Sequence, residues 1–185
     1  IIRQYMPHLN GKASQLLIKY LNSILSLGCD KEVLDLACGG GRNGLFLLKN
    51  NIPVTFVDKE EKALLNIAAV IEKKLRVRHR CLQIDLETGK SDLLESEKFG
   101  AILVFNYLHR PLFPSIRSAI SKGGLIFYET FTVEQREYGR PRNPDYLLQE
   151  GELLREFEGW EIIDYFDGIK VDPTRSIASL VARKP

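Results

Sequence analysis

The segment Val33-Leu34-Asp35-Leu36-Ala37-Cys38-Gly39-Gly40-Gly41-Arg42-Asn43-Gly44 constrains this chain more than any other. It leads from a short apolar stretch through three consecutive glycines into a helix start. Glycine lets a backbone take positive φ and approach a ligand closely, but it costs chain entropy and adds nothing to a core. The helix amino terminus that follows offers unpaired N–H groups. A strand, a glycine turn and a helix in that order build the crevice outside the carboxyl ends of an open α/β sheet, where ligands bind. The competing reading is a tight turn that holds nothing.

The remaining sequence supplies such a sheet. Periodicity predicts helices over Gln15–Leu27, Arg42–Asn50, Glu60–Leu75, Pro111–Ile120 and Glu150–Phe157. Strands are predicted over Glu32–Ala37, Val54–Asp58, Val77–Leu86, Ala101–Asn106, Leu125–Phe131, Glu161–Phe166 and Ser176–Arg183. Continuous apolar runs such as Ala101–Phe105 suit parallel strands covered on both faces. Alternation with helices predicts a mostly parallel α/β sheet with helices on both faces. No helix separates the last two strands, and Gly168 and Pro173 between them predict a hairpin. The final strand is then antiparallel to its neighbours. The stretch Thr132–Pro144 reads as a long irregular loop, expected to be mobile without ligand.

The 185 residues suit one domain, here 1–185, with 1–30 as an N-terminal helical segment packing on it. With 44% hydrophobic and 27% charged residues, disordered, collagen-like and coiled-coil classes are excluded. No apolar run approaches the roughly 18 residues of a membrane span. The net charge of +2 demands no nucleic-acid partner. Three cysteines, Cys29, Cys38 and Cys81, lack metal-ligand spacing and make no disulfide framework, so a reducing, cytoplasmic setting is expected. No secretory pattern is visible, although a chain starting at Ile1 is expected to lack its native start.

Gly39, Gly41 and Gly44 satisfy the G-x-G-x-x-G dinucleotide fingerprint. Asp58, at the end of the second strand, can accept from both hydroxyls of a ribose. Nicotinamide dinucleotides and adenosyl cofactors both carry one, so these features leave the choice open. Asp35 favours the second, because a carboxylate there repels a pyrophosphate and suits a cationic amino group. Asp85 ends the third strand, where it can accept from an adenine amine. The chain is also too short for a dinucleotide domain plus a catalytic domain.

On Asp35–Asn43, Val57-Asp58-Lys59, Ile84-Asp85-Leu86 and Phe105-Asn106-Tyr107, the chain resembles the class I S-adenosylmethionine-dependent methyltransferases. Cys38-Gly39-Gly40-Gly41-Arg42-Asn43 and the ending Ser179–Lys184 are similar to the small bacterial enzymes related to the tellurite-resistance methyltransferase. Ala37 stands where many of those have glycine. The resemblance spans nearly the whole chain and implies a single-domain, Rossmann-like seven-stranded sheet. It implies S-adenosylmethionine as cofactor, leaving as S-adenosylhomocysteine. Cys38, Gly39, Gly40 and Gly41 would lie beside its methionine part, and Asp58 and Lys59 at the ribose. Asp85 and Leu86 would meet the adenine, with Asn106 and Asp35 near the methionine amine.

On the acceptor side, His109 is the candidate base and Tyr107 a candidate wall or catalytic residue. The competing readings are a loop histidine and core packing. Arg110, Tyr128, Arg140 and Arg142 are the substrate candidates, the last two being stiffly held between prolines and suited to an anion. The basic run Lys73–Arg80 reads better as a helix end and a guarded edge strand than as a nucleic-acid footprint. The leading expectation is methyl transfer to a small-molecule acceptor. An RNA or protein methyltransferase and a non-catalytic adenosyl-cofactor module are the alternatives.

Overall fold

A computed structural model describes residues 11–28, 30–74, 77–88, 94 and 97–185, without the side chains of 73 and 74. Cys29, Leu75 and Arg76 of the basic run, and residues 1–10 of the N-terminal segment lie outside this description. The elements in chain order are α1 (Gln15–Lys19), α2 (Leu21–Leu25), β1 (Val33–Leu36), α3 (Arg42–Lys49), β2 (Val54–Asp58) and α4 (Glu61–Lys74). Then come β3 (His79–Gln83), β4 (Phe99–Phe105), α5 (Phe113–Ala119), β5 (Ile120–Phe131), α6 (Gln135–Tyr138), α7 (Glu152–Glu156), β6 (Glu161–Lys170) and β7 (Arg175–Arg183).

The seven described strands form one sheet in the order β3-β2-β1-β4-β5-β7-β6. β1 pairs in parallel with β2 on one side and β4 on the other, so the chain order reverses beside it. β7 is antiparallel to both β5 and β6. Because successive strand residues point to opposite faces, β1 divides its side chains between two cores. Leu34 and Leu36 join Ile102, Val104, Phe113, Ile116 and Phe157 under α5 and α7. Val33 joins Phe56, Leu103, Leu17, Ile24, Leu47 and Ile67 under α1 to α4. This two-sided cover is why the inner strands read as uninterrupted apolar runs.

Several boundaries differ from the periodicity. The helix predicted over Gln15–Leu27 breaks at Tyr20, whose φ of −109° and ψ of 21° are not helical. Lys19 reaches Asp164 of β6 at 2.7 Å beside the break, and both halves still deliver Leu17 and Ile24 to one core. Tertiary contacts here override a continuous helical stripe. β5 begins at Ile120 rather than Leu125 because Phe99 pairs with Ile120 across an irregular register. β6 runs on to Lys170, so the hairpin is tighter than predicted.

The stretch Thr132–Pro144 is also less irregular than expected. It contains α6, and buried polar groups tie it to β7. The Thr132 and Ser176 hydroxyls lie 2.6 Å apart, and the Ser176 N–H donates to Gln135 Oε1 at 2.8 Å. Gln135 Nε2 donates to the Arg140 carbonyl at 3.2 Å. Hydrogen bonds between polar residues, rather than apolar anchors, hold this loop.

Candidate active site

The glycine turn starts from a strained position. Ala37 takes φ 53°, and Gly39 and Gly41 take 55° and 70°. The Gly41 N–H closes the turn onto the Cys38 carbonyl at 2.9 Å. The motif's Arg42 and Asn43 reach toward the start of the described chain. Asn43 Oδ1 accepts from the Ser14 N–H at 2.9 Å, and Arg42 donates to the Lys12 carbonyl at 3.0 Å. Both residues join the glycine turn to the N-terminal helices, a role no local pattern in the sequence announced.

Two carboxylates occupy amides of the turn. Asp58, fully buried, accepts from the Gly39 N–H at 2.7 Å and the Glu60 N–H at 3.0 Å. Asp35, also buried, accepts from the Gly44 N–H at 2.8 Å. Burial pushes the Asp35 carboxyl up to about 7, against the Gly44 N–H and Arg42, while Asp58 adds to the rise. Burial, then the charges of Asp35 and Asp58, push the half-buried Cys38 thiol up as well, which leaves it protonated and unreactive.

Asp35 therefore makes stability pH-dependent. Its folded value lies above the unfolded value of about 3.9, so the folded protein holds the proton more tightly. That contribution is complete below about pH 4 and is lost as pH rises through about 7. Asp35→Asn keeps an acceptor for Gly44 but cannot ionise. Its melting temperature relative to the parent should rise between pH 5 and pH 8, by the equivalent of at most about 4 kcal/mol. Parallel melting curves across that range would show that Asp35 titrates normally.

A small cleft opens between the ends of β1, β2 and β4 and the turn after β3. Ala37, Asp58, Lys59, Ile84, Asp85, Leu86, Glu87 and Tyr107 line it. Asp85 is exposed and accepts from the Glu87 N–H at 3.0 Å, while Leu86 beside it is buried. The sequence-predicted Asp58, Lys59, Asp85, Leu86 and Tyr107 thus meet at one place. Asn106 lies outside the lining, exposed at the end of β4 with φ 54°, and its N–H donates to the Glu129 carbonyl. His109 is half-buried two residues after the cleft's Tyr107, and its ring makes no hydrogen bond among the described residues.

Two substrate candidates have other occupations. Arg110 grips Glu152 through Nε at 2.7 Å and Nη2 at 2.9 Å, and it donates to the carbonyls of Asp145 and Leu147. Four of its donor contacts thereby clamp the chain after Pro144 onto the end of β4, in place of the expected substrate contact. Tyr128 is core rather than pocket wall: its ring stacks near Phe113 and its hydroxyl donates to the Tyr107 carbonyl at 3.1 Å. Arg140 and Arg142 are exposed on the surface of the loop.

A charged cluster at the same rim joins residues far apart in sequence. Glu129, buried at the end of β5, pairs with Lys170 at 3.1 Å and faces Arg175 at 4.0 Å. Arg42 lies close enough for Glu129 to raise its pKa against the larger lowering by burial. The partners are 41 residues apart for Lys170, a separation that only the fold closes. The basic run, by contrast, is partly neutralised: Arg80 is held by Glu32 at 2.8 Å.

The fold agrees with comparisons to known proteins. The chain matches a Coxiella burnetii ubiquinone biosynthesis O-methyltransferase with 27% identity over 128 residues, 65% of this chain and 52% of that protein. It thus spans about half the length of the curated relatives it matches. TehB from Haemophilus influenzae superposes with a TM-score of 0.71 at 20% identity, over 90% of this chain and 62% of the other. A SAM-dependent methyltransferase from Methanosarcina mazei gives 0.69 at 13% identity, over 94% and 98%. The sheet is therefore the Rossmann-like fold of the class I methyltransferases. With the family model for tellurite resistance protein TehB matching residues 21–172, most of its length, this chain belongs to the TehB family.

Proposed function

We propose that this protein transfers a methyl group from S-adenosylmethionine to a small-molecule acceptor. The observation that carries the reading is the use made of the glycine turn. A dinucleotide site needs the turn's amides for a pyrophosphate. Here the Gly39 and Gly44 amides serve Asp58 and Asp35, and two buried carboxylates make the turn a poor cradle for an anion. The same charges suit a cofactor with a cationic amine and sulfonium. The cleft's acceptors and walls fit its nucleoside: Asp58 for the ribose hydroxyls, Asp85 for the adenine amine, and Ile84 and Leu86 as apolar walls.

When bound, the cofactor supplies an electrophilic methyl group, and the protein's task is alignment. Gly39, Gly40, Gly41 and Cys38 flank its methionine part in this reading, with Asn106 and Asp35 near the amine. Lys59 closes the ribose side. Tyr107 walls the cleft toward the acceptor, and the unengaged ring of His109 is available to take a proton from it. Arg140 and Arg142 stand on the loop beside this rim as candidates for an anionic acceptor group. The half-buried thiols of Cys38 and Cys81 fit a reducing, cytoplasmic setting.

Calorimetric titration tests the cofactor, and turnover to S-adenosylhomocysteine with pooled metabolites tests the reaction. The protein should bind S-adenosylmethionine and ignore NAD. NAD binding alone would overturn the cofactor assignment. Cofactor binding without turnover on any small-molecule, RNA or protein pool would make the chain a binding module.

A further inference from the structure

β6 forms one border of the sheet, and among the described residues no strand pairs with its outer edge. An open edge is a template for another strand, which proteins commonly guard with charges. The opposite border, β3, is guarded in this way by His79 and Arg80, with Arg78 just before it. On β6 only Glu161, at the strand's start, is an exposed charge, and the other charges are engaged by partners within the protein. Asp164 goes to Lys19, Asp167 accepts from the Gly151 N–H at 3.1 Å and the Tyr165 hydroxyl at 2.9 Å, and Lys170 goes to Glu129. The strand shows solvent Ile162, 41% exposed, and Ile169, 52% exposed.

We infer that β6 is a homodimer edge, pairing antiparallel with β6 of a second copy about a two-fold axis at Phe166. The argument is self-complementarity. In this register Phe166 faces its own copy, Tyr165 faces Asp167, and Asp164 faces Gly168. β6 carries one irregularity between Ile162 and Asp164, where a residue is left over in the ladder. That extra residue brings Ile162 opposite Ile169 and Glu161 opposite Lys170. The two exposed isoleucines then cover each other twice, once on each side of the axis. Glu161, which already has Arg183 at 3.3 Å, and Lys170, held by Glu129, stand opposite with unlike charges, and no two carboxylates are directly opposed. A closed two-fold contact of this kind also removes the edge that would otherwise recruit further strands.

Sedimentation equilibrium of the intact chain tests the state, and two sets of variants test the place. The parent should be dimeric at micromolar concentration. Ile162→Lys with Ile169→Lys should weaken the dimer at least tenfold while leaving the melting curve cooperative, since both side chains are on the surface. Phe166→Cys should form a reducible covalent dimer under mild oxidant, because directly opposed residues on antiparallel strands bring their Cβ atoms within about 5 Å. The parent, with its own thiols, should not cross-link under the same conditions. A parent that stays monomeric at all concentrations overturns the proposal. A dimer untouched by the double lysine variant overturns the edge, and a Phe166→Cys dimer that resists oxidation overturns the register.

Discussion

Gly44→Ala should unfold the protein or lower its stability by at least about 3 kcal/mol, a cost beyond ordinary overpacking. In an exposed helix the same change is favourable by about 1 kcal/mol, because alanine is the better helix former. Context reverses the sign. Gly44 is buried in the first turn of α3, against β2. A methyl group there would collide with Cε1 of Phe56 and lie 2.8 Å from its Cζ and 2.9 Å from an Asp35 oxygen. Phe56 is fully buried and has nowhere to move. Displacing the helix instead would break the Gly44–Asp35 bond. Thermal melting of the variant checks this, with Phe56→Leu added as a second-site change that should recover part of the loss. A Gly44→Ala variant melting at or above the parent temperature would show that α3 does not pack as described.

Asp58→Ala should weaken S-adenosylmethionine binding at least tenfold. A hydrogen bond to a charged group contributes about 1.5–3 kcal/mol, and each 1.4 kcal/mol is about one decade of affinity. Loss of both ribose contacts would exceed about a hundredfold. The residue is not a bystander at a strand end, since its carboxylate also holds the Gly39 and Glu60 amides. The variant should therefore melt earlier as well. Asp58→Asn keeps one acceptor oxygen for the backbone but sets an NH2 against the second backbone N–H, so it should lose less stability than the alanine variant without matching the parent. It should also bind weakly in calorimetric titration. A folded Asp58→Asn protein with the parent's dissociation constant would remove the ribose assignment.

The sequence disclosed what local chemistry decides. Strands buried on both faces must be apolar throughout, so Val54–Val57 and Ala101–Phe105 could hardly be read otherwise. The glycine turn and the acids after it announce themselves because backbone approach and ribose recognition demand those residue types. What stayed hidden depends on distant partners. Arg110 looked available for a substrate because nothing near it in sequence shows that Glu152 will meet it. Tyr128 looked like a rim residue because one position in a strand decides whether a ring enters the core or the pocket. Glu129 gave no sign of Lys170 and Arg175, which a hairpin brings back across the sheet. The break at Tyr20 was invisible for the same reason, as Asp164 lies 145 residues from Lys19.

The strand order carries a consequence for how this chain is made. β7 follows β6 in sequence but stands between it and β5 in space. During synthesis β6 leaves the ribosome with no strand to receive it, while the docking edge of β5 is already available. It can join only after β7 has emerged and threaded into the gap. The last two strands must then enter as one preformed hairpin, or β6 must wait. Lys170 and Arg175 arrive at the rim in that same event, so the charged cluster around Glu129 cannot form before β7 has docked.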